Sequence, residues 1–258
     1  MSDSSPVAGE TPSANKLIRA DSGNAAAPVA EFRGIHRIYR MGNQEVRALD
    51  HVDLVFRKGE YWSIVGPSGS GKSTMLNVLG CLDRPTEGVY ELGGEDTGLL
   101  DDDALSELRS RRLGFIFQSY NLIPQLDVLD NIMVPLLYQS NPPKDGEERA
   151  RHLAGRVGLG DRLNHRPREL SGGQMQRVAI ARALVNDPDM ILADEATGNL
   201  DSQTSKEIMN LFDELHQEGK TIVFVTHEAS VSERAERVLI MGDGRVREVR
   251  DVVKEVSA

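Results

Sequence analysis

The stretch GPSGSGKST, Gly66 to Thr74, constrains this chain more than any other, because it follows a short apolar run (YWSIVG) and opens a helical one (KSTMLNVLGCL). A strand that turns through glycines into a helix aims backbone N–H groups and the positive end of a helix dipole at one point. Gly66, Gly69 and Gly71 let those N–H groups face phosphate oxygens, Lys72 reaches the β and γ phosphates, and the Ser73 hydroxyl can ligate Mg²⁺. Pro67, Ser68, Ser70 and Thr74 complete the wrap. A plain Gly/Ser-rich turn shares this composition but does not demand a strand before it and a helix after it.

The same alternation continues along the chain. From Glu31, FRGIHRIYR and VRALDHVDLVF alternate apolar and polar residues as half-exposed strands do, with the turn RKGE leading into YWSIVG and a further strand pair around VYELGG. GFIFQ, MILAD, TIVFVT and RVLIM are short apolar strands separated by helical segments, which implies a mainly parallel sheet with both faces covered. From about Ser119 to Leu170 no strand pattern occurs, so this stretch is expected to form a helical subdomain inserted into the sheet domain and running on into a helix over 171–185. Within it LDVLDNIMVPLLYQ begins a helix with Asp127 as N-cap, and 147–157 is helical. The expected organisation is a disordered tail over 1–30, rich in Ser, Ala, Pro and Gly, one domain over 31–250, and a short tail over 251–258. The chain shows no internal repeat.

Two further clusters carry chemistry. MILADE delivers Asp194 and Glu195 side by side at the carboxyl end of a strand, where ligands collect in parallel-sheet proteins. Asp194 is suited to a magnesium shell and Glu195 to polarising an attacking water as general base for γ-phosphate transfer, although an Asp-Glu pair can equally be a helix N-terminal charge pair. In LSGGQMQRVAIARAL, Ser171 and Gln174 fit a helix capping box. A well-capped helix packed on the core would explain that much. Gly172 and Gly173, however, weaken a first turn by roughly 1 kcal/mol each against alanine, a cost consistent with something approaching the backbone closely, and a phosphate is the expected visitor.

Composition narrows the classes. The 258 residues carry a formal charge of -10, against a sequence-independent grip on nucleic acid, and 39% hydrophobic content supports a sizeable core. No run approaches the roughly 18 apolar residues of a membrane span, and the start of the chain lacks the basic-then-apolar pattern of a secretory signal. One cysteine, Cys81, in an apolar stretch, reads as a buried inert thiol in a reducing, cytoplasmic setting.

Taken in order, GPSGSGKST, the glutamine of GFIFQ, LSGGQ, MILADE, GNLD and the histidine of TIVFVTH resemble the ATP-binding subunits of ABC transporters, over nearly the whole chain from about Glu31 to Arg250. The resemblance implies an α/β fold with a P-loop NTPase core, mainly parallel sheet, an N-terminal antiparallel β subdomain and an inserted helical subdomain. It implies ATP and Mg²⁺ as cofactors and ATP hydrolysis as the activity. By it, Tyr39 stacks on adenine, Gln118 senses Mg²⁺ and the attacking water, and His227 holds the γ-phosphate and aligns Glu195. Ser171, Gly173 and Gln174, with Gly172 between them, contact nucleotide held by a second copy, and Asp201 ties the two sites together. The partners so implied are a second copy, head to tail, and a transmembrane permease on another chain that holds the subunit to the inner face of the membrane.

GFIFQSYNLIPQLDVLDNIMVPLLY further resembles the branch that includes macrolide exporters and lipoprotein-releasing complexes, which implies force transmission to a permease. Its apolar residues serve core packing, a docking groove for the permease, or both. The family usually has proline after the catalytic glutamate, where this chain has Ala196. DNA-maintenance relatives insert coiled coils and ribosomal ones carry tandem cassettes, features this chain lacks. A regulatory module of the cell-division type, controlling a membrane complex without transport, is the alternative the motifs leave open.

Overall fold

The computed structural model describes residues 26–42 and 44–252. The expected tail over 1–30 therefore lies mostly outside the described residues, but its last three residues belong to the first strand, β1 (Pro28–Met41), which starts ahead of the expected Glu31. β1 pairs antiparallel with β2 (Gln44–Arg57) and with β4 (Glu87–Leu92), and the two-residue β5 (Glu95–Asp96) completes a sheet of order β2-β1-β4-β5. Strict alternation along β2 fails once. Leu49 and Val52 both point inward because His51 adopts a left-handed φ of 57° and the register against β1 slips there, as a bulge requires.

The second sheet has six strands in the order β10-β9-β3-β8-β7-β6. β3 (Tyr61–Val65), β6 (Leu113–Phe117), β7 (Met190–Asp194), β8 (Thr221–Val225) and β9 (Arg237–Gly242) run parallel. β10 (Arg245–Asp251) closes the edge antiparallel through the turn Asp243-Gly244, so the expected C-terminal tail starts inside a strand. The central strands are buried on both sides, which is why they read as apolar runs. On one face Trp62, Ile64, Leu192 and Val223 pack with α1 (Lys72–Leu79) and the antiparallel sheet. On the other, Tyr61, Ile191, Ile222 and Phe224 pack with α5 (Gly172–Leu184) and α6 (Ser202–Gln217). Cys81 is buried just beyond α1, in left-handed backbone rather than in the helix, and burial pushes its thiol up to about 11, which leaves it unreactive.

α2 (Asp102–Arg112) precedes β6, and the stretch 119–170 contains α3 (Val128–Met133), α4 (Gly146–Arg156) and short 3-10 turns but no strand. Asp127 caps α3 as expected, its side chain accepting from the Asp130 amide at 2.9 Å. The helix is shorter than the apolar run suggests and passes into a 3-10 turn containing Pro135. The fully buried Asn131 holds the preceding loop, accepting from the Ile123 amide at 2.8 Å and donating to the Asp127 carbonyl at 2.9 Å.

β6 touches α5 through Gly114, where a Cβ would stand 2.4 Å from the Ala183 carbonyl oxygen. Overpacking of this kind typically costs about 1–3 kcal/mol. Gly114→Ala is therefore expected to lower unfolding free energy by about that amount in a denaturant titration, and an unchanged midpoint would show that β6 does not need this close approach.

Candidate active site

The site lies along the carboxyl ends of four neighbouring parallel strands. Backbone partners place Ile64, Val225, Asp194 and Phe117 level with one another across β3, β8, β7 and β6. The next residues on each chain segment are the Gly66 loop, Thr226-His227, Glu195 and Gln118, so the expected groups emerge side by side at strand spacings of roughly 4.8 Å.

The Gly66 loop is shaped by its surroundings. At Gly66 a Cβ would meet the Met241 carbonyl oxygen at 2.4 Å, and at Gly71 the Ala48 carbonyl oxygen at the same distance, so β9 and β2 leave room for glycine alone. Both have positive φ, 153° and 101°. The loop closes on itself through Ser70 N–H to Pro67 O at 3.2 Å and is pinned to the β9–β10 turn through Gly244 N–H to Ser70 O at 3.0 Å. Lys72 Nζ donates to Gly66 O at 2.8 Å and Pro67 O at 2.9 Å, which leaves one of its three N–H groups for another acceptor. Gly71 caps α1 with no side-chain bond to the first turn, so first-turn amides remain available to an anion. Ser73 is exposed and Thr74 half-buried at that helix start, while Pro67 and Ser68 lie on the open side of the loop.

Opposite the loop, burial first and the neighbouring Glu195 second raise the Asp194 carboxyl above its ordinary value, while Lys72 opposes them. Glu195 has a φ of 44°, a conformation that costs a non-glycine residue about 1–3 kcal/mol. The surroundings enforce it. Its amide donates to Val225 O and its carbonyl accepts from the Gly198 amide, each at 2.9 Å. His227 Nδ1 lies 3.1 Å from Glu195 Oε1, within hydrogen-bond reach.

Gln118 begins a strained turn. Tyr120 and Asn121 both have positive φ, 61° and 48°, and the carbonyls of the turn are held from outside. Asn199 Nδ2 donates to Gln118 O at 3.0 Å, while Arg182 of α5 donates to Tyr120 O at 2.8 Å and Asn121 O at 2.6 Å. The Gln118 amide itself lies against Gly198, where a Cβ would be 2.6 Å from Nε2. Arg182, Asn199 and Tyr120 were not singled out by sequence reasoning; the available signal was an arginine in the otherwise apolar run AIARAL.

The LSGGQ helix start has its capping box. Gln174 N–H donates to Ser171 Oγ at 3.3 Å and Ser171 N–H to Gln174 Oε1 at 2.9 Å. The close visitors at its glycines come from this chain itself. A Cβ on Gly172 would stand 2.9 Å from the Tyr120 hydroxyl, and one on Gly173 would stand 2.5 Å from Thr204 Cγ2. Ser171 is exposed, and among the described residues no hydrogen bond joins 171–174 to the Gly66 loop. Asp201 caps α6, accepting from the Thr204 hydroxyl at 2.6 Å and from the amides of Gln203 and Thr204 at 3.0 Å. These bonds, the Thr204 hydroxyl first, hold its carboxyl below the ordinary range. Tyr39, on β1, donates its hydroxyl to Asp83 at 2.7 Å and carries the Arg37 guanidinium over its ring at 4.4 Å.

The ABC transporter family profile matches residues 49–198. The chain belongs to the ABC transporter ATP-binding family. An uncharacterized ABC transporter ATP-binding protein of Thermotoga maritima is 51% identical over 84% of this chain and 93% of its own length. The macrolide export ATP-binding/permease protein MacB of Hyphomonas neptunium is 49% identical over 85% of this chain, which spans only 34% of that protein. Among solved structures, a dimer of the ATP-binding cassette MJ0796, in a post-hydrolysis state bound to ADP and Pi, superposes with a TM-score of 0.80 at 43% identity, covering 87% of this chain and 99% of that one. The fold is thus that of an ABC ATPase cassette, and the chain is an ATP-hydrolysing subunit of a transporter.

Ala196, in the position after Glu195, is buried, and its amide donates no hydrogen bond among the described loop contacts. Proline there removes no backbone hydrogen bond, and its restriction of the unfolded chain is an effect under about 1 kcal/mol. Ala196→Pro should leave ATP turnover within a few-fold of the parent in a phosphate-release assay, and abolished turnover would show that this ABC cassette needs a conformation at 196 that proline cannot adopt.

Proposed function

We propose that two copies of this cassette meet head to tail on ATP and Mg²⁺ and that hydrolysis drives a separately encoded permease. The observation that carries the reading is the separation of two phosphate-binding devices on one chain. Lys72 and the α1 amides serve one, and the exposed Ser171 end of α5 serves the other, with no bond between them among the described residues. A second copy, turned about, brings its Ser171, Gly172, Gly173 and Gln174 to the γ-phosphate held by Lys72, as the dimeric MJ0796 cassette supports. Asp201, at the head of the neighbouring helix, then lies at the same interface, and the Tyr39 ring stacks on adenine beside the Gly66 loop.

Within the site Glu195 takes the proton of the attacking water as its oxygen bonds to the γ-phosphorus and the bond to the β-phosphate oxygen breaks, releasing ADP. His227 orients Glu195 through the 3.1 Å contact, and a proton on Nε2 lets that nitrogen donate to the γ-phosphate. The residues suit Mg²⁺. Ser73, Gln118 and Asp194 offer hard oxygen donors, and a cation would offset the burial and like charge that raise the Asp194 carboxyl. No described group of three or more His, Cys, Asp or Glu could hold a metal alone, which fits an ion that arrives with the triphosphate and neutralises its charge.

The permease docks in a groove of about 350 Å³ beside the Gln118 turn, lined by Leu82, Phe115, Phe117, Pro135, Tyr138 and Arg182. Val128, Ile132 and Leu136 face the core, whereas Leu137 and Tyr138 are 82% and 60% exposed, so the apolar stretch serves both purposes. No described helix is long and apolar enough to cross a membrane. Likeness to a macrolide export ATP-binding/permease protein supports export; force transmission or extrusion, with the chain peripheral on the inner face of the membrane, completes the proposed reading.

Glu195→Gln is expected to keep nucleotide binding, to lose turnover by about 10²–10⁴-fold, and to run as a dimer in ATP and Mg²⁺ on size exclusion with light scattering. A variant that stays monomeric with ATP bound would refute the composite site. Tyr138→Asp is expected to leave hydrolysis by the isolated chain intact and to prevent co-purification of the permease; undiminished capture would move the docking site elsewhere.

A further inference from the structure

Arg182 stands out because it is a largely desolvated cation with no anion beside it among the described residues. Its guanidinium sits half-buried on α5, burial pulls it below its ordinary value, and no described carboxylate opposes that effect. Surface arginines of this chain, such as Arg112 and Arg177, find Asp189 and Glu207. Arg182 instead spends its planar fork on the carbonyls of Tyr120 and Asn121, two consecutive residues in left-handed backbone. Those residues are the end of the turn that Gln118 begins. The Tyr120 ring then reaches along the helix to its other end, where its hydroxyl lies against Gly172. The turn is thus hydrogen-bonded to α5 at 182 and packed against it at 172, roughly 15 Å apart along the helix axis.

From this arrangement we infer that Arg182 is a positioning residue for hydrolysis, locking the Gln118 turn and the LSGGQ helix into one rigid unit so that Gln118 is presented to the metal at a fixed height. The inference rests on the proposed role of Gln118 as a metal contact. Without the fork, the Tyr120 and Asn121 carbonyls lose their charged donor and the left-handed pair can relax, which carries the Gln118 side chain away from its place beside Gly198. Asn199 holds only the carbonyl of Gln118 and leaves the far end of the turn free. Lys72 and the Gly66 loop make no contact with this unit among the described hydrogen bonds, so the copy's own grip on the phosphates does not run through Arg182.

The test is steady-state ATP hydrolysis by the full chain, titrated separately with Mg²⁺ and with ATP, for the parent, Arg182→Met, Arg182→Lys, Gln118→Ala and the double variant that combines Arg182→Met with Gln118→Ala. Arg182→Met is expected to raise the Mg²⁺ concentration for half-maximal rate about tenfold, the scale on which partners that orient a metal contact act. Its kcat should fall while KM for ATP at saturating Mg²⁺ stays within about twofold. Arg182→Lys keeps the charge and the stem but reaches one carbonyl, and should recover part of the Mg²⁺ shift; it also serves if Arg182→Met does not fold. The double variant should be no worse than Gln118→Ala alone. If Gln118→Ala shifts the Mg²⁺ dependence and neither Arg182 variant does, the inference is overturned while the site reading stands. If Gln118→Ala itself leaves Mg²⁺ dependence unchanged, the assigned role of Gln118 falls and the inference falls with it. A loss confined to melting temperature, with parental Mg²⁺ dependence, makes Arg182 structural and overturns it as well.

Discussion

Everything in the site hangs on the level ladder of β3, β8, β7 and β6. Parallel strands bonded in this register end at one height, and the residues next after each end must emerge within a few ångströms of their neighbours. The Gly66 loop, a glutamine, an acidic pair and a histidine, spread along the chain from Gly66 to His227, thereby share one edge. The ladder is in turn secured by burial on both faces, since Ile64, Ala193, Phe224 and Val225 are no more than 1% exposed. A slip of one residue in any of these strands would put its terminal functional residue out of line with its neighbours and on the opposite face.

Rigidity at that edge comes from strain that the packing overrules. Glu195, Tyr120 and Asn121 hold left-handed backbone without the excuse of glycine, and each is caught by bonds to a different element: Val225 for Glu195, Arg182 of α5 for the other two. At about 1–3 kcal/mol each, these conformations persist only because several contacts converge on them. The glycines play the complementary part. Gly66 and Gly71 stand where carbonyls of β9 and β2 approach within what a side chain would occupy, so the phosphate loop is pressed against the sheet edge instead of hanging from it.

How far the sequence could be read depended on whether a feature was local. The strand, loop and helix around Lys72, the capping box of Ser171 and Gln174 and the Asp127 cap are all short-range patterns, and each is where its residues predict. Strand β10 escaped notice because its residues alternate charge with valine at an exposed edge, leaving little apolar signal, although Asp243-Gly244 is a hairpin turn in plain view. The bulge at His51, the staple at Asn131 and the fork of Arg182 depend on partners brought near by the tertiary fold, and no spacing rule announces them. The glycines of LSGGQ were read as making room for phosphate, yet Tyr120 and Thr204 already crowd them from within the chain. Both demands fall on the same positions, so the sequence alone could not separate them.

The electrostatics of one copy also argue for a site shared with others. Asp194 and Glu195 place two acidic groups beside the single cation Lys72, on a chain whose formal charge is -10. A triphosphate adds further negative charge to that edge, and Lys72 already shares its ammonium between two carbonyls. In the proposed reading the balance comes from groups that carry positive charge without side chains: the α1 amides within the copy, a divalent cation, and the amide-rich start of α5 from another copy. A helix start supplies only about half a unit of charge, and salt and water screen it unless the contact is enclosed. Closure of two copies around the nucleotide, as proposed, would exclude that water, so this distribution of charge favours an interface over a cleft within one chain.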